Sequence, residues 1–398
     1  MEHFTAIGYE ELPWISQIPT DQMSRRQARA VPTTYRAAIP VSIALADFLV
    51  DADLVALAED ATHAIMRLDD YVAHLFKQHP VAPLASILLR TESAASSQIE
   101  HLTVGARQLA LAEIGLAAST NAEMVAGNVA TMRAAMHLAD EMDTDSILAM
   151  HEALMVGQPH ALPGRWRDTQ VWIGSSGLSP AHASFVPPAP HRLPMAMDDL
   201  TRFIHRDDLP VMIHTAIAHA QFETIHPFID GNGRTGRALV HAMLRSAGVM
   251  RNITVPVSAG LLSRIDDYVA ALTAFRHGDI HPIVTTMSTA AERAALLGRW
   301  LVDQLADLIV VWQDSVRPRA GSALESLLYL AIGQPALTVN VVMSSLSVSE
   351  TAARRAIDQA VQADIIRPAT DKKRNRVWLA VPVLDILDDF AERAGRRV

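Results

Sequence analysis

Apolar residues recur at helical spacing along most of this 398-residue chain, and segments able to form strands are few and short. Leu54, Leu57, Ala61, Ile65 and Leu68 share one helical face, and residues 41–79 read as two helices. Residues 83–117 and 121–142 read the same way, and 145–156 form a shorter helix stopped by Gly157 and Pro159. Helix resumes near Met195, runs through 211–225, and returns from about Thr235 to Ala247, where Gly248 ends it. Segments 262–276 and 281–316 lead to a break at 318–322. The pattern predicts an all-α fold. With 50% of its residues hydrophobic, the chain has ample material for a core.

One stretch departs from this. Residues 159–194 are rich in Pro, Gly and Ser, with β-capable pieces at 170–173 and 184–186. Gly174, Ser175, Ser176, Gly177 and Pro180 lie between them, and Pro187 and Pro188 follow, which predicts a hairpin or extended flap. Cysteine is absent, so disulfides, thiolate metal sites and a thiol nucleophile are excluded. The N-terminus has no basic start followed by an apolar run, and the apolar run 296–312 is broken by Arg299, Asp303 and Asp307. Both features predict a cytoplasmic protein with no membrane partner. The net charge of −9 argues against a surface that coats nucleic acid along its whole length.

Between two of the predicted helices lies HPFIDGNGRTGR, from His226 to Arg237. Gly231 and Gly233 let backbone approach a ligand closely, and the helix that follows offers N–H groups and a positive dipole end to an anion. Arg234 and Arg237, three apart, point from its first turn toward the same anion, and guanidinium groups suit phosphate oxygens. Asp230 supplies one hard oxygen, the way Mg²⁺ is held when nucleotide phosphates provide the other ligands. A histidine such as His226 can take a proton from a hydroxyl near neutral pH. Each piece alone is weak, but twelve residues holding all of them point to phosphoryl-type transfer. The P-loop pattern is missing, which excludes a P-loop kinase or ATPase.

These residues resemble the signature of the Fic family, H-x-F-x-[DE]-G-N-G-R-x-x-R, at every fixed position. The resemblance implies a protein adenylyltransferase that moves AMP from ATP to a Tyr, Thr or Ser hydroxyl. His226 would be its base, Asp230 its Mg²⁺ ligand, and Gly231, Asn232 and Gly233 the seat of the α- and β-phosphates. Arg234 would contact the phosphates and Arg237 clamp the γ-phosphate. The segment from Pro163 through Pro188 resembles the family's flap, on which a target segment lies as an added strand. Upstream, TESAASSQIEHL resembles the family's inhibitory motif [ST]-x-x-x-E-[GN], with Ser96 and Glu100 on one helical face and Glu100 set against Arg237. His101 stands where the family has Gly or Asn. Tyr268, in a segment similar to one that contacts adenine, is a candidate for that contact, with a plain core or surface tyrosine as the alternative.

Beyond the break, residues 322–380 read as three helices and a β-wing, and resemble a winged helix-turn-helix. Between 350 and 378 seven basic residues (354, 355, 367, 372, 373, 374, 376) face four acidic ones (350, 358, 364, 371), a local excess able to meet phosphates. The expected organisation is therefore 1–117, an N-terminal helical region with the inhibitory motif; 118–317, the Fic-type core with its β-hairpin flap; and 318–398, the winged helix. Expected partners are ATP, a protein target at the 170–188 flap, the chain itself through self-modification or a homodimer, and DNA through 339–380. Two alternatives stay open: a DNA-binding regulator with the Fic-type core as sensor or self-modifier, and removal of AMP with Glu100 positioning a water.

Overall fold

A computed structural model describes residues 3–15, 24, 33–75, 82–116, 119–139, 141–156, 158–174, 179–180, 183–369 and 376–395. The chain opens with a hairpin, β1 (Gly8–Pro13) and β2 (Thr34–Ile39). Helices α1 (Ala52–Leu75), α2 (Ala82–Ile99), α3 (Ala106–Glu113), α4 (Thr120–His137) and α5 (Thr144–Leu154) follow. After a mostly irregular stretch come α6 (Leu193–Ile204), α7 (Val211–Ile225), α8 (Asn232–Ser246), α9 (Val257–Leu261), α10 (Ile265–Arg276) and α11 (His281–Val316). The last part holds α12 (Ala323–Gly333), β3 (Ala336–Leu337), α13 (Val339–Leu346) and α14 (Glu350–Gln362). It ends with β4 (Arg367–Pro368), β5 (Trp378–Leu379) and α15 (Val381–Arg393).

The fold is mostly helical, as the spacing predicts, with four local differences. Residues 41–79 hold one described helix rather than two, because Asp51 accepts the N–H of Leu54 at 2.8 Å and caps α1 there. Residues 83–117 are broken after Ile99 by a tight helix end, described below. The flap pieces pair through a single bridge, Ile173 to Phe185, and residues 175–178 and 181–182 of the expected turn lie outside the described residues. The β1–β2 hairpin, in register from Gly8 opposite Ile39 to Pro13 opposite Thr34, has no counterpart in the sequence reading.

The chain divides into two compact units. One comprises Met1–Ala58, Ala134–Met243 and Asp266–Thr286; the other comprises Glu59–Arg133, Leu244–Ile265 and Met287–Val398. Each is assembled from stretches distant in sequence, whereas the sequence segments expected above are consecutive.

In the first unit α7 is central: every residue from Thr215 to Ile225 is buried. A helix enclosed on all sides needs no polar face, and two of its polar side chains bond to backbone carbonyls. Thr224 donates to the Ala220 carbonyl at 2.8 Å, and Gln221 to that of Val41. The hairpin joins the flap, since the Ala38 N–H donates to the Val186 carbonyl at 3.0 Å. Arg192 holds Glu10 of β1 with two hydrogen bonds, at 2.7 and 2.9 Å.

In the second unit α2 is the central piece. Arg90, 2% exposed, pairs with Glu113 of α3 at 2.6 Å and donates to the Gly333 carbonyl at the end of α12. Glu92 is fully buried and accepts both the N–H (2.8 Å) and hydroxyl (2.5 Å) of Ser258 in α9. Charges that interrupt the apolar run of α11 are used in packing: Asp303 accepts from the Tyr71 hydroxyl at 2.6 Å and pairs with Arg299. Helices α12, α13 and α14 start at side-chain caps, Ser322, Thr338 and Ser349. They pack on one another, an antiparallel sheet of order β3-β5-β4 is interleaved with them in sequence, and α15 follows it. Among the described residues no helix is long and apolar enough to cross a membrane.

Candidate active site

The site is built where α7 ends and α8 begins. His226 is the residue after α7, with φ 50° and ψ 62°, and its N–H still bonds to the Phe222 carbonyl at 2.8 Å. A left-handed conformation at a non-glycine residue costs about 1–2 kcal/mol, so surrounding contacts must hold it. Those contacts come from Arg167. Its Nε donates to the His226 carbonyl at 2.9 Å, and its own N–H bonds to the Pro227 carbonyl at 2.9 Å. The imidazole is 18% exposed, with Nδ1 3.9 Å from Oε2 of Glu223, one turn back on α7.

The loop 228–232 is closed by Asn232. Its Oδ1 accepts the N–H of Phe228 at 2.8 Å, and its Nδ2 donates to the Phe228 carbonyl at 2.9 Å. The Asn232 side chain therefore shapes the cradle. Gly231 has φ 77°, and a Cβ there would lie 2.1 Å from Cε of Met155 and 2.8 Å from Cδ2 of Leu154. The dihedral favours glycine, and a Cβ would also have to displace the buried ends of Met155 and Leu154.

Behind the loop sits His151, fully buried and stacked on Phe228 at 3.6 Å between ring centroids. Gly164 N–H donates to its Nδ1, so the proton is on Nε2, which donates to the Asp230 carbonyl at 3.1 Å. Burial holds this imidazole neutral, its pKa pushed down to about 4. The Asp230 carboxylate is 46% exposed, with Oδ1 taking the Gly231 N–H at 2.6 Å and lying 3.6 Å from Nη2 of Arg234. Arg234 and Arg237 are each only 2% exposed. Two buried guanidiniums in the first turns of one helix concentrate positive charge beside its N-terminal N–H groups, the setting in which phosphate is bound.

Tyr268 is 4% exposed and lies at 2.7 Å from Nε2 of His219. His219 Nδ1 faces the Gly236 carbonyl at 3.1 Å, so Nδ1–H donates there and Nε2 accepts the Tyr268 hydroxyl. Burial first, then the charge of Arg237, lowers the His219 pKa to about 3. Tyr268 thus supports the first turn of α8 through a neutral histidine.

Ser96 and Glu100 lie in the second unit. Ser96 is fully buried in α2, and Glu100 is the exposed residue at the helix end. His101 N–H bonds to the Gln98 carbonyl at 2.9 Å, Leu102 N–H to the Ser97 carbonyl at 3.0 Å, and His101 has φ 63°. That is a Schellman ending with Glu100 as C-cap and His101 as the left-handed residue. Glycine and asparagine adopt this conformation most readily, which gives the E-[GN] pattern a physical basis at this position.

Arg167, His151 and Glu223 were not singled out in the sequence. The carbonyls that Arg167 and His151 hold in the site, those of His226 and Asp230, lie 59 and 79 positions away, so no local spacing ties them to the motif. Glu223 stands three residues before His226, and that helical spacing was its one available signal.

Residues 141–244 match the Fic/DOC family. Protein adenylyltransferase Fic of Nematostella vectensis is 33% identical over 159 residues, 39% of this chain and 33% of the relative. The protein of the same name from Drosophila erecta is 30% identical over 172 residues, 42% of this chain and 32% of the relative. The chain thus spans about a third of the length of these curated relatives. A crystal structure of a Fic family protein from Desulfovibrio desulfuricans G20 shares the fold, with a TM-score of 0.53 and 23% identity over 83% of this chain and 97% of that one.

Proposed function

We propose that this chain, whose residues 141–244 match the Fic/DOC family, is a protein adenylyltransferase, moving AMP from ATP to a hydroxyl of a target protein or of itself. The observation that carries this is the pairing of a partly exposed, rigidly placed His226 with two buried arginines in the first turns of α8. His226 takes the proton of the attacking Tyr, Thr or Ser hydroxyl. The oxygen forms a bond to the α-phosphorus while the bond to the leaving pyrophosphate breaks. The loop 231–233 cradles the α- and β-phosphates, and Arg234 and Arg237 balance their charge and that of the γ-phosphate.

Among the described residues no group of three or more His, Asp or Glu could hold a metal ion without help. One exposed carboxylate, Asp230, fits a Mg²⁺ that takes its other ligands from nucleotide and water. Such an ion supplies charge neutralisation on the phosphates. Glu100 restrains the reaction, and the support for this is the SSQIE string together with the Schellman ending that fixes Glu100. We place the protein target on the flap, and Tyr268 contributes to the adenine side of the site through its support of α8.

Incubation with α-labelled ATP tests the reading. Wild type should incorporate label, and His226→Ala should incorporate about a hundredfold less while its melting temperature stays close to wild type. Transfer by the variant near the wild-type rate excludes His226 as base. A second reading, a DNA-binding regulator, has as its support the α12–α14 helices with their antiparallel sheet, which we read as a winged helix. Two of its basic residues are already engaged, Arg354 with Glu350 and Arg367 with Asp364, each at 2.6 Å. Salt-sensitive retention of a DNA duplex, absent in Arg355→Ala, would favour it.

A further inference from the structure

Arg167 is a cation in an unusual setting. It is 2% exposed, and its three side-chain hydrogen bonds all end on backbone carbonyls: His226 at 2.9 Å, Thr169 at 3.0 Å and Pro188 at 2.5 Å. Burying a guanidinium on neutral acceptors is costly, and burial pulls its pKa down to about 10. A lysine cannot serve three divergent acceptors in one plane, whereas a guanidinium can.

The identity of those carbonyls gives the arrangement meaning. Thr169 and Pro188 are the two roots of the flap, and His226 is the base. Among the described residues the flap's own backbone pairing is confined to one place: Ile173 N–H bonds to Phe185 O at 2.9 Å, and the Ser184 and Phe185 N–H groups to Ile173 O at 2.7 and 3.3 Å. Pro187 and Pro188 have no N–H to extend it. Side chains fasten the rest, with Gln170 Nε2 on the Pro187 carbonyl at 2.9 Å and Arg167 on Thr169 and Pro188. The one guanidinium that joins the flap roots also grips the carbonyl of a residue held in the left-handed region. A shift at either root is therefore passed to the backbone from which the imidazole projects.

We propose that Arg167 is a positioning residue that couples the flap roots, Thr169 and Pro188, to His226, so that a target segment seated along 170–173 and 183–187 fixes the base for proton removal. The proposal rests on the AMP-transfer reading and deepens it. Arg167 holds none of the nucleotide, so its effect is confined to the transfer step.

The full-length chain is the material for the test. Arg167→Lys should lower label transfer from α-labelled ATP by between about tenfold and a hundredfold, the range expected when a catalytic group is misplaced by an ångström. The Kd for a non-transferable ATP analogue should change less than about twofold. In a His226→Ala background Arg167→Lys should have no further effect on transfer, because it acts only through that histidine. Gln170→Ala, a milder change at the flap, covers the case in which Arg167→Lys does not fold; it should lower transfer, again only when His226 is present. Equal fold-losses in both backgrounds, or a Kd that rises in step with the lost activity, would overturn the coupling. If neither wild type nor Glu100→Gly transfers label, the AMP-transfer reading fails instead. The coupling is then judged by the His226 ring NMR signal, which should shift on Gln170→Ala in the wild type and stay put in Arg167→Lys; a signal that ignores Gln170→Ala in the wild type ends the proposal.

Discussion

Two neutral histidines, His151 and His219, stand against the 226–236 segment, and their chemistry predicts how the site responds to acid. His151 has a folded pKa near 4 against 6.5 for the free side chain. Between those values the unfolded chain binds a proton that the folded site refuses. The stability contributed by His151 is thus complete above about pH 6.5 and is lost as the pH falls toward 4, on the order of 3 kcal/mol in all. His219, near 3, steepens the same decline. In His151→Gln, which keeps an N–H for the Asp230 carbonyl but does not titrate, urea unfolding should be easier at pH 7 and should vary less between pH 6.5 and 4. An unchanged slope would remove His151 from the acid response. The motif 226–237 was legible in the sequence because its parts are contiguous. His151 and Arg167 were not, since each acts on a carbonyl supplied by a distant turn.

Elements end where particular residues allow a left-handed turn, and two such positions border residues to which we assign a role. At Gly231 the loop turns into α8 against buried Leu154 and Met155. Gly231→Ala should lose about 1–3 kcal/mol from the dihedral and the forced repacking, and should weaken binding of an ATP analogue, read by calorimetry. At His101, α2 ends on a residue less suited to φ 63° than glycine. His101→Gly should raise stability by up to about 1 kcal/mol, seen as a higher denaturant midpoint at unchanged m-value. The helices were visible to periodicity, but their ends were not. The cap of Asp51 and the Schellman bonds after Ile99 depend on backbone dihedrals that apolar spacing does not encode. The β1–β2 hairpin escaped for a related reason: its two strands are held by register with each other and by contacts to Val186 and Arg192, far along the chain.

At the scale of the whole molecule the prediction concerns regulation. Glu100 is a carboxylate at the C-terminal end of α2, the negative end of the helix dipole, where local stability disfavours it. Glu100→Gly should leave the melting temperature equal or higher while self-modification and target modification rise. In an Arg237→Ala background the same change should give little further gain, as labelled AMP incorporation at equal protein concentration would report. Equal rates for wild type and Glu100→Gly would end the inhibitory assignment. The interleaving of the two units has a further effect, on synthesis. Ile7 donates to the Arg276 carbonyl and Ala38 to that of Val186, so these residues wait during synthesis for partners made later. At about 5–20 residues per second the interval between Ile7 and Arg276 is on the order of ten seconds to a minute. Until then Ile7 lacks its backbone partner, and the β1–β2 pair is an unpaired edge of the kind that chaperones shield.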